Sequence, residues 1–388
     1  MPVRFAESSV GVRATCSKRN SMVTGLVEGL RRLSLGLFLL GLGAVILLLS
    51  DLNSRVRPLE GDSEKDGLGR RRRVALVQHA SIKAIEDGRL GFLEQLKKRG
   101  FENGVNIDLK SFNAEADIAT ANAIAKEVTG GDYDLIVSIS TVSLQTIANA
   151  NKTGRRTPHV FGLVTDPFGA GVGIDANDHL KHPPYMTGYG CMQPVDDIIR
   201  IMVQMRPGLK RIGLVWNPAE ANSMAQTILA REVCKSLSIE LIEGNADNSS
   251  SVQEVANSVI ARGAEAIWIS GDITVSLAAT AVLSAAQKGR IPVFSSLPPL
   301  VTKGSLLDLG SDYIQIGRDL GDLTADVLEG QDPASIPVEN RVQVVMLYNE
   351  TVIEKLKDRW VITPEIRRNA AGFINATQTD LPEGFQEY

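Results

Sequence analysis

Between residues 72 and 349, short apolar runs alternate with stretches of helical period, and that alternation limits the chain to few architectures. "RRVALVQ" (72–78) reads as a strand. "EDGRLGFLEQLKKRG" (86–100) reads as a helix, with Leu90, Leu93 and Leu96 at helical spacing and Gly100 at its end. Strands follow at 105–112, 133–140 and 158–164, separated by helices at 117–128 and 141–151. A second series runs through helices at 195–205, 222–237, 251–262 and 274–288, with strands at 211–217, 239–244, 264–270 and 291–296. Strands at 305–310 and 341–349 and helices at 312–330 and 350–358 close the pattern. Apolar strands that alternate with helices build parallel sheets covered on both faces. The expected fold is therefore α/β, with two doubly wound parallel-sheet lobes joined by a hinge near 188–195. One lobe takes residues 72–189 and 311–340. The other takes 190–310 and 341–378, with 379–388 as a C-terminal tail.

The 388 residues suffice for two cores and leave an N-terminal region outside the pattern. Residues 33–50, "LSLGLFLLGLGAVILLLS", carry no charge. Eighteen helical residues span about 27 Å, close to the thickness of a bilayer's hydrocarbon core. Arg31 and Arg32 precede the run, so residues 1–32 are expected in the cytoplasm and everything after 51 outside. The junction "LLLSDLNSRVRP" offers no small-x-small cleavage site, which favours an uncleaved transmembrane signal anchor over a cleaved signal peptide. No cysteine follows the run to take a lipid. Residues 51–71 read as a flexible linker.

Charge narrows the function classes. Residues 74–388 hold 28 basic against 38 acidic residues, which gives no footprint for nucleic acid. Arg70 to Arg73 read as a solvated tether beside the membrane. Cys16, Cys191 and Cys234 make no Cys-x-x-Cys pair, and Cys191 and Cys234 read as isolated core thiols. Of the four histidines, His79, His159, His179 and His182, the last two flank "LK" beside Asp178, a spacing open to a metal that reads first as solvated loop residues. No Walker loop, nucleophile elbow or zincin motif occurs, and neither a cofactor nor an enzymatic activity is expected.

Ligands of open parallel sheets bind beyond the carboxyl ends of the strands. There the chain places Ser81, Ser140, Thr141, Thr165, Asp166, Asn222, Ser223, Asp272 and Thr274. Each has a bland reading as a helix cap. Together they also suit a cleft for a small polar ligand such as an amino acid, with Asp166 or Asp272 facing its ammonium group. The glycines of "VFGLVTDPFGAGVGID" (160–175) follow Pro167 and open no helix, so they read as turn residues rather than a phosphate loop.

Several segments resemble one family. "GFLEQLKKRGFENGVNI", "DLIVSISTVSLQTIANA", "VFGLVTDPFGAGVG", "GLVWNPAEANS" and "DLGSDYIQIGRDLGDLTADVLEGQDPASIPVEN" are similar to ABC-transporter substrate-binding proteins of the tryptophan/tyrosine-type group. The resemblance implies the type I periplasmic binding protein fold. It implies a receptor that closes on a small ligand, often an aromatic amino acid, and delivers it to ABC permease and ATPase subunits. It places the chain at a bacterial inner membrane with its globular part in the periplasm. Where relatives carry Asp-Asn-Thr, this chain has Asp272-Ile273-Thr274. A sensory rather than a transport role stays open.

Overall fold

The computed structural model describes residues 70–386. The N-terminal tail, the apolar run 33–50 and nearly all of the linker lie outside the described residues. Among those described, no helix is long and apolar enough to cross a membrane.

The first lobe is built from β1 (Arg72–Gln78), α1 (Lys83–Lys98), β2 (Ile107–Asn113), α2 (Ile118–Gly130), β3 (Leu135–Ile139), α3 (Thr141–Asn151), β4 (His159–Val164) and β5 (Met186–Gly190). The strands pair in parallel in the order β2-β1-β3-β4-β5. β3, β4 and β5 are buried along their whole length, as continuous apolar runs require. β5, "MTGYG", carries no strand signal in sequence because of its two glycines. Gly188 is there for space, since a Cβ would lie 2.2 Å from the Phe161 carbonyl oxygen.

The second lobe follows with α4 (Val195–Met205), β6 (Arg211–Trp216), α5 (Ala221–Ser236), β7 (Glu240–Asn245), α6 (Val252–Ala261), β8 (Ala266–Ile269), α7 (Ile273–Leu277), α8 (Ala279–Gly289), β9 (Val293–Ser295) and β10 (Leu307–Ser311). The chain then returns to the first lobe through α9 (Tyr313–Leu328) and β11 (Glu339–Asn340), which pairs with β5. It ends in β12 (Val344–Asn349), α10 (Pro364–Asn369), β13 (Gly372–Ile374) and β14 (Thr379–Asp380) on the second sheet. That sheet runs β7-β6-β8-β9-β10-β12-β13-β14. It is parallel from β7 to β10, whereas the β10–β12 and β13–β14 pairs are antiparallel.

Three stretches differ from the sequence pattern. The helix expected over 274–288 breaks at Ala278 into α7 and α8. Residues Glu350–Lys355 form a 3-10 helix capped by Asn349, not an α-helix. Residues read as a C-terminal tail contribute β14, and Leu381 and Phe385 pack with Val301 and Leu347. The arginine run is not merely solvated. Arg70 donates to Asp134 at 2.6 Å, Arg71 to the Gly104 carbonyl at 2.7 Å, and the Arg73 guanidinium lies over the Tyr133 ring.

α9 is fixed to the first lobe by a near backbone-to-backbone approach to α1. A Cβ on Gly91 would lie 2.0 Å from the Ile314 carbonyl oxygen, and one on Gly317 would lie 2.0 Å from that of Gly88. Arg99, at the end of α1, reaches Asp322, Asp326 and Glu329 of the returning segment. Where the chain crosses between lobes, Gln193 Nε2 donates to the Tyr313 hydroxyl at 2.7 Å and the Ser311 hydroxyl donates to Gln193 Oε1 at 3.3 Å. Two of the crossings are thereby tied to each other at the hinge.

Candidate ligand-binding cleft

Both sheets point their parallel strand ends at the same space. Buried Ile85 and Leu163 of the first lobe and Ile273 and Leu297 of the second belong to one apolar cluster, so the lobes are closed on each other. Between them lies a cavity of about 40 Å³. Its polar lining is Ser140, Thr141 and Thr165 from one side and Asn222 and the Gly271 backbone from the other. Cys191 and Tyr313 stand at its hinge end. That volume holds water, not an amino acid, whose pocket must be several times larger.

The first rim is strained. Ser140, at the end of β3, has φ 99°, and Leu163, in β4, has φ 55°. The β4–β5 register shifts between Phe161 and Val164, where Leu163 lies. A side chain at such φ costs about 1–3 kcal/mol and persists only where its surroundings hold it. Here it turns both residues onto the cavity. The Ser140 hydroxyl caps α3 by accepting from Ser143 N at 3.3 Å, and Thr141 Oγ1 accepts from Thr165 N at 3.4 Å. The Ser140 hydroxyl also donates to the Ser143 hydroxyl at 3.2 Å, so the spare polar capacity of this rim lies at the Thr141 and Thr165 hydroxyls.

The second rim is already satisfied. Asp272 is fully buried, and its Oδ2 accepts from Asn217 N at 2.7 Å and the Ser223 hydroxyl at 2.5 Å. Its Oδ1 accepts from Val275 N at 2.7 Å, capping α7. Burial pushes its pKa up to about 7, with the charge of Glu220 adding to the effect. Glu220 Oε1 accepts from both the backbone and the hydroxyl of Thr274, and its Oε2 from Ile273 N and Asn222 Nδ2. Two acids thus hold the β6 and β8 loops together.

Of the nine residues expected at the site, the structure gathers Ser140, Thr141, Thr165 and Asn222 on the cavity. Ser81 is exposed and accepts from Asn113 Nδ2 at 2.7 Å, away from it. Asp166 is half-buried, and its Oδ1 accepts from Phe168 N and Gly169 N at 3.1 Å each. That bends the loop, and a Cβ on Gly169 would lie 2.3 Å from Asp166 Oδ2. Gly171 and Gly173 have φ 74° and 87° in a turn that opens no helix. Ser223, Asp272 and Thr274 serve the loop network behind the cavity. An ammonium partner therefore does not stand free on either acid.

The sequence pattern missed Glu220 as the second acid of the network, although it sits in the quoted stretch. It also missed the apolar walls Ile85, Leu163, Ile273 and Leu297, which no motif marks. Cys191 and Cys234 are separate buried thiols, pushed by burial up to about 12 and about 11. Among the described residues no group of three or more His, Cys, Asp or Glu residues is placed to hold a metal.

A family model described as ABC transporter substrate binding protein matches residues 73–366. The chain belongs to that family. A tyrosine-binding protein of Clostridioides difficile (strain R20291) is 28% identical over 281 residues, which is 72% of this chain and 79% of the relative. Among solved structures, a conserved domain protein from Vibrio cholerae is 30% identical with a TM-score of 0.73, covering 78% of this chain and 100% of that one. The ABC domain from Streptococcus pneumonia, in complex with L-Trp, is 21% identical with a TM-score of 0.72, over 79% and 100%. At that identity the likeness is one of fold. A ligand-free, open substrate-binding protein with adhesive properties from Clostridium difficile is 25% identical with a TM-score of 0.58, over 78% and 99%. This substrate-binding protein is thus of an extracytoplasmic, non-enzymatic family with the two-lobed periplasmic binding protein fold.

Proposed function

We propose that this substrate-binding protein closes its two lobes on an aromatic amino acid and presents it to an ABC permease with its ATPase. The cavity carries the reading. Both lobes line it, so a ligand there favours the closed form through contacts that the open form lacks. Ser140, Thr141 and Thr165, with the N-terminus of α3, offer hydrogen bonds to a carboxylate. Ile85, Leu163, Ile273 and Leu297 offer walls for an apolar body. The tyrosine-binding relative supports an aromatic amino acid as ligand. The lower TM-score against the ligand-free, open relative, despite higher identity than the L-Trp-bound one, is what a hinge displacement between two alike lobes produces.

The liganded form must hold its lobes further apart than this one, because about 40 Å³ cannot hold an amino acid. Anchoring through residues 33–50 belongs to the same proposal and rests on their uncharged length. Calorimetric titration of the full chain in detergent with the twenty amino acids tests it. Saturable binding of one or more aromatic amino acids is expected, and binding of none of them overturns it.

A further inference from the structure

A groove of about 300 Å³ lies in the second lobe, at the end of β9 opposite the cleft: Val293 lines the groove, whereas Leu297, just past the strand, lines the cleft cavity. One wall is α8, with Leu283, Ser284 and Gln287. The other is the 3-10 helix Glu350–Lys355, with Val352. Three cations stand on the groove, Arg290, Lys303 and Lys355, and no acid lines it. Among the described residues none of the three has an ion-pair partner, although Arg99, Arg206, Arg231 and Arg318 on other faces all meet acids. Of the two acids on the neighbouring 3-10 helix, Glu350 is engaged by Arg367 and Glu354 does not line the groove. Arg290 Nε donates to the Lys355 carbonyl at 3.3 Å, which joins the two walls at one end.

Arg290 is held there against its backbone preference. α8 ends at Gly289, yet the left-handed residue is the next one, Arg290, with φ 51°. That position usually goes to glycine, because a side chain is strained in it. Each of the three cations also ends a helical turn, where a positive charge is common, but that does not explain why the three ends meet around one groove. Like charges gathered without a counter-charge repel until an anion joins them. Between them the floor is apolar, with buried Leu283, Ile291 and Val293 beside half-buried Val352 and Leu356. We propose that this groove is a second ligand site, for a small organic anion. Arg290, Lys303 and Lys355 take its phosphate or carboxylate head, and the floor takes a short apolar body. The site is separate from the cleft and does not depend on the amino-acid reading above.

Calorimetric titration of the full chain in phosphatidylcholine nanodiscs tests it, with hexyl phosphate, hexanoate, inorganic phosphate and hexanol as probes. Hexyl phosphate or hexanoate should saturate one site, and whichever binds tighter names the head group. The better of the two should bind about tenfold or more tighter than inorganic phosphate, which lacks the apolar body, and than hexanol, which lacks the charge. Binding of neither organic anion overturns the proposal, and so does hexanol binding as tightly as the anions. Joint replacement by Lys303→Gln and Lys355→Gln, both at exposed positions, should weaken the better anion about tenfold or more. Arg290→Gly should weaken it about tenfold while raising the melting temperature, since glycine suits φ 51°. Unchanged anion affinity in both variants puts the binding elsewhere and overturns the groove. The cleft plays no part in these readings, so failure of the amino-acid proposal leaves them standing.

Discussion

On the first rim of the cleft, Ser140 and Leu163 sit at positive φ, and Thr141 shares one long bond with Thr165. On the second, Asp272 and Glu220 engage all four carboxylate oxygens with their own lobe. One rim holds strain and spare hydrogen-bonding capacity, while the carboxylates of the other are closed to new partners. Residues of the same polar kind, at the same strand ends, thus divide the labour between binding and scaffolding. Which of the two a residue does follows from what already holds its oxygens.

The largest test of that difference is the pH dependence of stability. Burial pushes Asp308 up to about 8 and Asp272 up to about 7, both in the second lobe. A carboxyl whose folded pKa lies above its unfolded one binds its proton more tightly in the folded chain. Its stabilisation is complete below pH 4 and is lost as pH rises toward 8. Asp308→Asn should remove on the order of 4 kcal/mol of that loss, read by denaturant unfolding at pH 4 and pH 8. An unchanged pH slope in the variant would show that Asp308 is not the buried acid that sets it.

Next, Asp272→Ala strips the partners from Asn217 N, Val275 N and the Ser223 hydroxyl. It should cost about 3 kcal/mol of stability by the same measurement. A loss of affinity with stability untouched would return Asp272 to the ligand. Ser140→Gly works in the opposite direction. Glycine suits φ 99° and still caps a helix, so the variant should gain about 1 kcal/mol. Its affinity for the amino acid should fall, since the hydroxyl is gone. The smallest expected effect is that of Asp166→Asn, which retains the acceptor for Phe168 N and Gly169 N. Affinity should stay within about twofold of wild type. A drop of a hundredfold would restore Asp166 as the ammonium partner.

Much of the architecture was legible because it is local. Runs such as "YDLIVSIS" and "AEAIWIS" are apolar throughout, and only strands buried on both faces tolerate that. β5 and β11 were not legible. "MTGYG" has the composition of a turn, and it becomes a strand because Gly188 fits against Phe161 beside β4. Four cavity residues were found because hydroxyls and amides at parallel strand ends are a positional signal. The division of roles among the acids was not, because it depends on partners such as Asn217 and Asp272, 55 positions apart.

By itself, the sequence determined two α/β lobes with polar strand ends, since hydrophobic period and strand–helix alternation act over a few residues at a time. Only the tertiary structure decided which of those polar groups face the cleft. Ser140 and Leu163 turn inward through a left-handed backbone that local preference opposes. Asp272 and Glu220 turn away because backbone donors from distant loops reach them first. Both outcomes depend on the packed neighbours that hold a conformation or supply a hydrogen bond, and those neighbours meet only in the folded chain.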